Sequence, residues 1–259
     1  MLLVIDVGNT NITMGVYDKE NLKANWRIAT NKDKSSDEIG IMLLSFFDFD
    51  NIDHKKISNV IISSVVPPIM YSLKNAIKKY LKIEPVIVDS NIKSNLVLKS
   101  ENKHELGADR IVNAIGAISI YKAPMIIVDF GTATTFCAIS KDNEYLGGAI
   151  MPGIKISMSA LVEKTAKLPR IEISKPENVI GKNTVEGMKS GVYYGYVGSV
   201  DYIVSKMKEE LGEMDVTVIA TGGLARMISQ DSKTITNIDS LLTLKGLREI
   251  FVQGDYKNV

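Results

Sequence analysis

Short apolar runs, each ended by a turn-forming cluster, alternate along this chain with longer stretches whose apolar residues recur at helical spacing. Leu2-Leu3-Val4-Ile5 is continuous, as in a strand buried on both faces, and stops at Asp6. After the turn Gly8-Asn9-Thr10, the stretch Ile12 to Tyr17 reads as a second strand and Ala24 to Ile28 as a third. Ser36 caps a helix whose Ile39, Met42, Leu43 and Phe46 follow the i, i+3, i+4, i+7 rule. Val60 to Val65 is a buried-type strand, and Pro67-Pro68 opens a helix with Ile69, Leu73, Ile77 and Leu81 on one face. Pro85 to Val88 is a short strand, and Ile111, Ala114, Ile115 and Ile118 mark a helical run between Glu105 and Tyr121.

The second half restarts the series. Strands run through Val128, Phe136 and Leu146, and Pro152-Gly153 breaks the chain before a helix containing Ile156, Leu161 and Val162. A long helix spans Thr184 to Leu211. Val216 to Ala220 is a strand, Thr221-Gly222-Gly223 turns into a short helix, and Leu241 to Ile250 form a last one. β-β-β-α-β-α thus occurs twice. The expected fold is α/β, with duplicated domains at 1–117 and 118–259, mixed sheets carrying helices on their faces, and a cleft between the domains.

Composition narrows the setting. The 259 residues suffice for two medium cores, and 45% hydrophobic with 24% charged residues is ordinary for a globular protein. A formal net charge of +1 gives no electrostatic case for nucleic acid or a membrane surface as partner. The single cysteine, Cys137, excludes a disulfide within the chain and suits a reducing cytoplasm. No run approaches the roughly 20 apolar residues of a membrane helix, and the start lacks the basic region of a signal peptide.

The candidate chemistry lies at the turns. Asp6-Val7-Gly8-Asn9-Thr10 and Asp129-Phe130-Gly131-Thr132-Ala133-Thr134 are two versions of one pattern: a carboxylate ending a strand, then a glycine turn rich in donors suited to phosphate. A lone Asp such as Asp6 suffices for Mg²⁺, which keeps several waters and takes one or two carboxylates plus substrate phosphates. Asp129 with its threonines suits a cation or completes a phosphate site; either turn also reads as an ordinary hairpin. Gly107-Ala108-Asp109-Arg110 precedes a helix, where Asp109 is a cap or a general base and Arg110 a bidentate anion ligand. Gly222-Gly223 lets backbone lie flat against a base or ribose, or is a plain turn. Gly181-Lys182-Asn183-Thr184 is not a P-loop: Pro176 stands at the first glycine position and Asn183 where Ser or Thr must follow the lysine. The two histidines, His54 and His104, stand apart from any cysteine cluster, against a zinc site.

Together these motifs resemble the actin-like ATPase and sugar kinase superfamily, with its ribonuclease H-like domains, and within it the type III pantothenate kinases. The resemblance is carried in order by Asp6 to Asn11, Ser63-Ser64-Val65-Val66-Pro67-Pro68, Gly107 to Arg110, Asp129 to Thr134, Gly147 to Gly153, Gly181 to Thr184 and Thr221-Gly222-Gly223, over essentially the whole chain.

The resemblance implies ATP-dependent phosphorylation of pantothenate to 4'-phosphopantothenate, the first step towards coenzyme A. It implies that Asp6, Val7, Gly8, Asn9, Thr10, Asn11, Ile12 and Thr13 hold ATP phosphates, with Mg²⁺ at Asp6 through water. Thr132, Gly222 and Gly223 also meet ATP. Asp109 is the base, and Gly107, Ala108, Arg110 and Thr184 line the pantothenate site. Asp129 binds a monovalent cation, K⁺ or NH₄⁺. A homodimer is implied, its pantothenate site near the subunit interface and a helix such as Leu161 to Leu168 contributed by the partner. One position departs: where relatives carry a substrate-contacting tyrosine ahead of Gly107, this chain has Ser100. Two alternatives stand beside this reading. One is a nucleotide-binding regulatory protein of the same fold without turnover. The other is a different kinase or phosphatase of the superfamily, although about 260 residues leave no room for large substrate subdomains.

Overall fold

In the computed structural model the described residues are all of the chain except 90, 91, 93, 100–104, 214, 255 and 257–259. They form two units. Unit 1 comprises Met1–Asn95, Asn102–Ser119 and Leu242–Val259; unit 2 comprises Leu96–Glu101 and Ile120–Leu241.

Unit 1 opens with β1 (Leu2–Val7), β2 (Asn11–Asp18) and β3 (Asn21–Ala29), followed by α1 (Ser36–Phe49), β4 (Asn59–Ser64), α2 (Pro67–Leu81) and β5 (Val86–Ile87). The sheet order is β3-β2-β1-β4-β5, antiparallel across the hairpins and parallel from β1 onward. The continuous apolar run of β1 occupies the centre, where Leu3, Val4 and Ile5 are wholly buried. One face of the sheet carries Leu3, Ile5, Val7, Met14 and Ile62 into a core with Leu43 and Phe47 of α1 and Ile69 and Leu73 of α2. Each such side chain contributes about 1.5–3 kcal/mol by burial. The α1 cap is Ser35 rather than Ser36, because Ser35 and Glu38 form a reciprocal capping box one residue earlier. Pro67 begins α2, and Lys82 ends it in the left-handed conformation. α3 (Ala108–Ile120) follows.

Unit 2 repeats the plan with β6 (Val97–Leu98), β7 (Met125–Phe130), β8 (Ala133–Ile139), β9 (Glu144–Pro152), α4 (Ile154–Glu163), α5 (Thr184–Leu211), β10 (Thr217–Gly222), α6 (Ala225–Ile228) and β11 (Asn237–Ile238). Its order, β11-β10-β7-β8-β9-β6, contains the first sheet's order with β6 added at the edge. β7 takes the place of β1, β8 of β2 and β10 of β4, with the same antiparallel and parallel senses. Tyr193, Val197, Val200 and Val204 of α5 cover Ile126, Val128 and Phe130 of β7. The duplicated mixed α/β architecture expected from the sequence is present.

The last helix, α7 (Leu242–Gln253), packs on β1, β2 and β4, so the units interleave along the chain. It also crosses α3 backbone to backbone. A Cβ on Gly116 would lie 2.8 Å from the Leu242 carbonyl, and one on Gly246 would lie 2.1 Å from that of Val112. Thr243 Oγ1 donates to Asn113 Oδ1 at 2.7 Å across the same contact. α3 is thereby anchored just beyond its first turn, where Asp109 sits. Among the described residues no helix is long and apolar enough to cross a membrane.

Candidate active site

At the C-terminal end of β1, Asp6 is in register with Thr13 of β2 and Ser63 of β4. Register-paired residues share a face of the sheet. Thr13, Asp6 and Ser63 therefore form a polar row on the side opposite the α1–α2 core. The turn beyond is tight: the Gly8 amide donates to Asn11 O at 3.0 Å. Thr30, just past β3, latches it twice, Oγ1 donating to Gly8 O at 2.6 Å and the amide to Thr10 O at 2.9 Å. Asn9 and Thr10 are exposed at the tip. Sequence reasoning did not single out Thr30, whose role is visible only once β3 lies beside the turn.

Ser63 is fully buried, and its Oγ is one of two buried side-chain polar atoms without a hydrogen-bond partner among the described residues, the other belonging to Ser229. An orphan hydroxyl of this kind costs about 1–3 kcal/mol. No group of three or more His, Cys, Asp or Glu among the described residues forms a metal cage. One carboxylate with an unsatisfied hydroxyl beside it fits the alternative, a hydrated Mg²⁺ held mainly by nucleotide phosphates.

The Asp109 segment stands at the same end of the sheet. The Val65 amide donates to Val7 O at 3.1 Å, and a Cβ on Gly107 would lie 3.7 Å from Val65 Cγ1. Asp109 is in the first turn of α3, where Oδ1 accepts the Arg110 amide at 2.8 Å. A Cβ on Gly107 would approach that Oδ1 to 2.5 Å, so the carboxylate keeps its place only because residue 107 has no side chain. Burial pushes the Asp109 carboxyl above its ordinary value, against the opposing pull of the Arg110 amide and guanidinium. Asp6, the turn to Thr13, Gly107, Ala108, Asp109 and Arg110 are thus gathered at one edge of unit 1.

In unit 2, Asp129 pairs in register with Thr135 and Thr221. Gly222 closes on it with φ +90°, and a Cβ there would lie 2.6 Å from Asp129 Oδ1 and 2.7 Å from Phe130 O. A carboxylate oxygen and a carbonyl oxygen therefore converge beside a residue that must be glycine. Gly153 presses on the turn in the same way: its Cβ would fall 2.1 Å from Thr132 O. Thr132 is exposed. Thr134 is buried, its hydroxyl bonded to Tyr196 Oη, which also donates to Pro152 O at 3.2 Å. Thr134 thus braces the turn against α5. Gly223 is exposed beyond Gly222.

Thr184 is the exposed first residue of α5, behind the Asn183 cap, which accepts the Glu186 amide at 2.9 Å. Gly181 wraps against this helix start, its Cβ position 2.3 Å from the Gly187 amide nitrogen, so the segment is a capped helix start. Ser100 and His104 lie outside the described residues.

A family model described as type III pantothenate kinase matches residues 2–206. A type III pantothenate kinase from Exiguobacterium sp. is 53% identical over 251 residues, 97% of this chain and 98% of the relative. Among solved structures, a protein assigned to the Baf family of transcriptional activators from Campylobacter jejuni superposes with TM-score 0.62 at 19% identity, covering 98% of each chain. An activator of 2-hydroxyisocaproyl-CoA dehydratase from Clostridium difficile, solved with bound ADPNP, gives 0.55 at 14% identity, covering 99% of this chain and 95% of its own. The two structural likenesses speak to the fold alone. The family match and the 53% identical relative do more: this chain belongs to the type III pantothenate kinase family.

Proposed function

We propose that this protein transfers the γ-phosphoryl group of ATP to the terminal hydroxyl of pantothenate, forming 4'-phosphopantothenate at the entry to coenzyme A synthesis. The observation that carries the activity is the 53% identity to a type III pantothenate kinase along nearly the whole chain.

Asp109 is the general base. Its carboxyl sits above the ordinary carboxylate value because of burial, which makes it a better proton acceptor near neutrality. Phosphoryl transfer asks little more, because its transition state is loose and catalysis is mostly positioning and charge stabilisation. Arg110, beside it, binds the pantothenate carboxylate, and Gly107, Ala108, Thr184 and Ser100 complete the substrate contacts. Asp6 and the residues through Thr13 hold the ATP phosphates, with the Gly8 turn kept in shape by Thr30. Thr132, Gly222 and Gly223 also serve the nucleotide. Mg²⁺, when bound with ATP at Asp6, neutralises developing charge on the phosphates. Asp129, with the Phe130 carbonyl nearby, takes a monovalent cation, K⁺ or NH₄⁺. The working form is a cytoplasmic homodimer.

The test is direct. Purified protein incubated with ATP, Mg²⁺, K⁺ and pantothenate is expected to yield 4'-phosphopantothenate and ADP in equal amounts. Absence of phosphopantothenate under those conditions would overturn the proposal.

A further inference from the structure

Ser63 has no role in the assignments above, and its surroundings set it apart. It is wholly buried with an unpartnered Oγ. Three helical serines bond within their own helix: Ser45, Ser119 and Ser199 donate to carbonyls three or four residues back at 2.9, 2.8 and 2.8 Å. Extended backbone offers no such carbonyl, so a strand hydroxyl depends on a neighbouring strand, a packed side chain or a ligand for its partner. The residue in register on the next strand is Asp6, on the same face. The arrangement recurs in unit 2, where buried Thr221 stands beside Asp129. A hydroxyl next to each of the two strand-end carboxylates is a feature of the duplicated plan, not of one strand.

We propose that Ser63 is a positioning residue for phosphoryl transfer: its hydroxyl donates to the Asp6 carboxylate and fixes that carboxylate for the Mg²⁺ that accompanies ATP. A donor on one carboxylate oxygen leaves the other directed at the ion's water shell, as outer partners do around metal ligands. Ser63 thus destabilises the ligand-free fold and acquires its bond when the metal–nucleotide complex binds. The inference rests on the kinase reading and on Asp6 as the carboxylate of the Mg²⁺ site.

The test compares Ser63→Ala with the unchanged full-length protein, by calorimetric binding of ADP with and without Mg²⁺, Mg²⁺ titration of turnover, and thermal unfolding. Expected for Ser63→Ala are a roughly 10–100-fold higher Mg²⁺ requirement for both binding and turnover, unaltered affinity for metal-free ADP, and a Tm equal or higher by about 2–4 °C. MgADP affinity and Mg²⁺ activation within twofold of the unchanged protein would overturn the inference and leave the kinase reading standing. An unchanged protein that binds no MgADP and makes no phosphopantothenate would overturn both.

Discussion

The two strand-end carboxylates share a ladder but not a neighbourhood. Asp6 and Asp129 each sit next to last in the central strand, each facing a threonine on one side and a hydroxyl residue on the other. One position further along the parallel neighbour the units diverge. Unit 1 has Ser64, whose Oγ accepts the Val66 amide at 3.0 Å and turns the chain towards α2. Unit 2 has Gly222 at φ +90°, pressed against the carboxylate itself. The latches differ too: a threonine just past β3 holds the first turn by two hydrogen bonds, whereas Gly153 and Tyr196 wedge the second. One sheet plan thus yields a carboxylate beside an unsatisfied hydroxyl in one copy and beside converging oxygens in the other. The first suits a hydrated divalent ion, the second a less demanding cation.

The largest expected effect lies with Asp109, which belongs to neither copy of the turn. Asp109→Asn is expected to lower kcat by about 10²–10⁴-fold, read by phosphopantothenate formation. Its folded-state carboxyl is raised, so the folded chain binds this proton more tightly than the unfolded chain. The associated stability is present below the unfolded value and lost as pH rises through the folded one. At neutral pH the ionised group therefore costs stability, and Asp109→Asn is expected to match or exceed the Tm of the unchanged protein. The acid limb of kcat/KM should likewise lie above the ordinary aspartate value. A variant that loses both activity and Tm would make Asp109 a structural cap.

Stability separates the two turns next. Gly222→Ala places a Cβ at a positive φ and within 2.6 Å of Asp129 Oδ1, which should cost about 1–3 kcal/mol in denaturant unfolding and blunt the potassium response. Thr30→Val removes one latch from the first turn. It is expected to cost about 0.5–1.5 kcal/mol and to raise the KM for ATP while leaving that for pantothenate unchanged. Gly8→Ala is the mildest: its Cβ would meet only the Asn11 carbonyl at 3.1 Å, and the net change should stay below about 1 kcal/mol. If Gly8→Ala proved as damaging as Gly222→Ala, the contrast between the turns would fail.

Much of this was legible in the chain because the signals were local. The limits of α5 follow from Asn183 at one end and Gly212 in the left-handed conformation at the other. The central strands follow from their unbroken apolar runs. What escaped depends on contacts distant in sequence or on too few residues. β6 and β11 are two residues each, too short for any period to show. The return of α7 to unit 1 rests on Gly116 meeting Gly246, which neither glycine announces alone. Thr134 read as part of a hydroxyl-rich phosphate turn, but its partner is Tyr196, 62 residues away. Ser63 read as one more residue of a buried strand, since only the register with Asp6 gives its hydroxyl meaning. Asp109 carried two readings that spacing could not separate. The structure adds the burial of the Asp109 carboxylate and the bare Gly107 beside it.

The division of labour between the two turns is tested most directly by titrating Mg²⁺ and K⁺ against phosphopantothenate formation in Asp6→Asn and Asp129→Asn. Distinct roles predict a crossed result: Asp6→Asn shifts the Mg²⁺ requirement and leaves the K⁺ response, and Asp129→Asn does the reverse. Equal shifts of both requirements in both variants would contradict it.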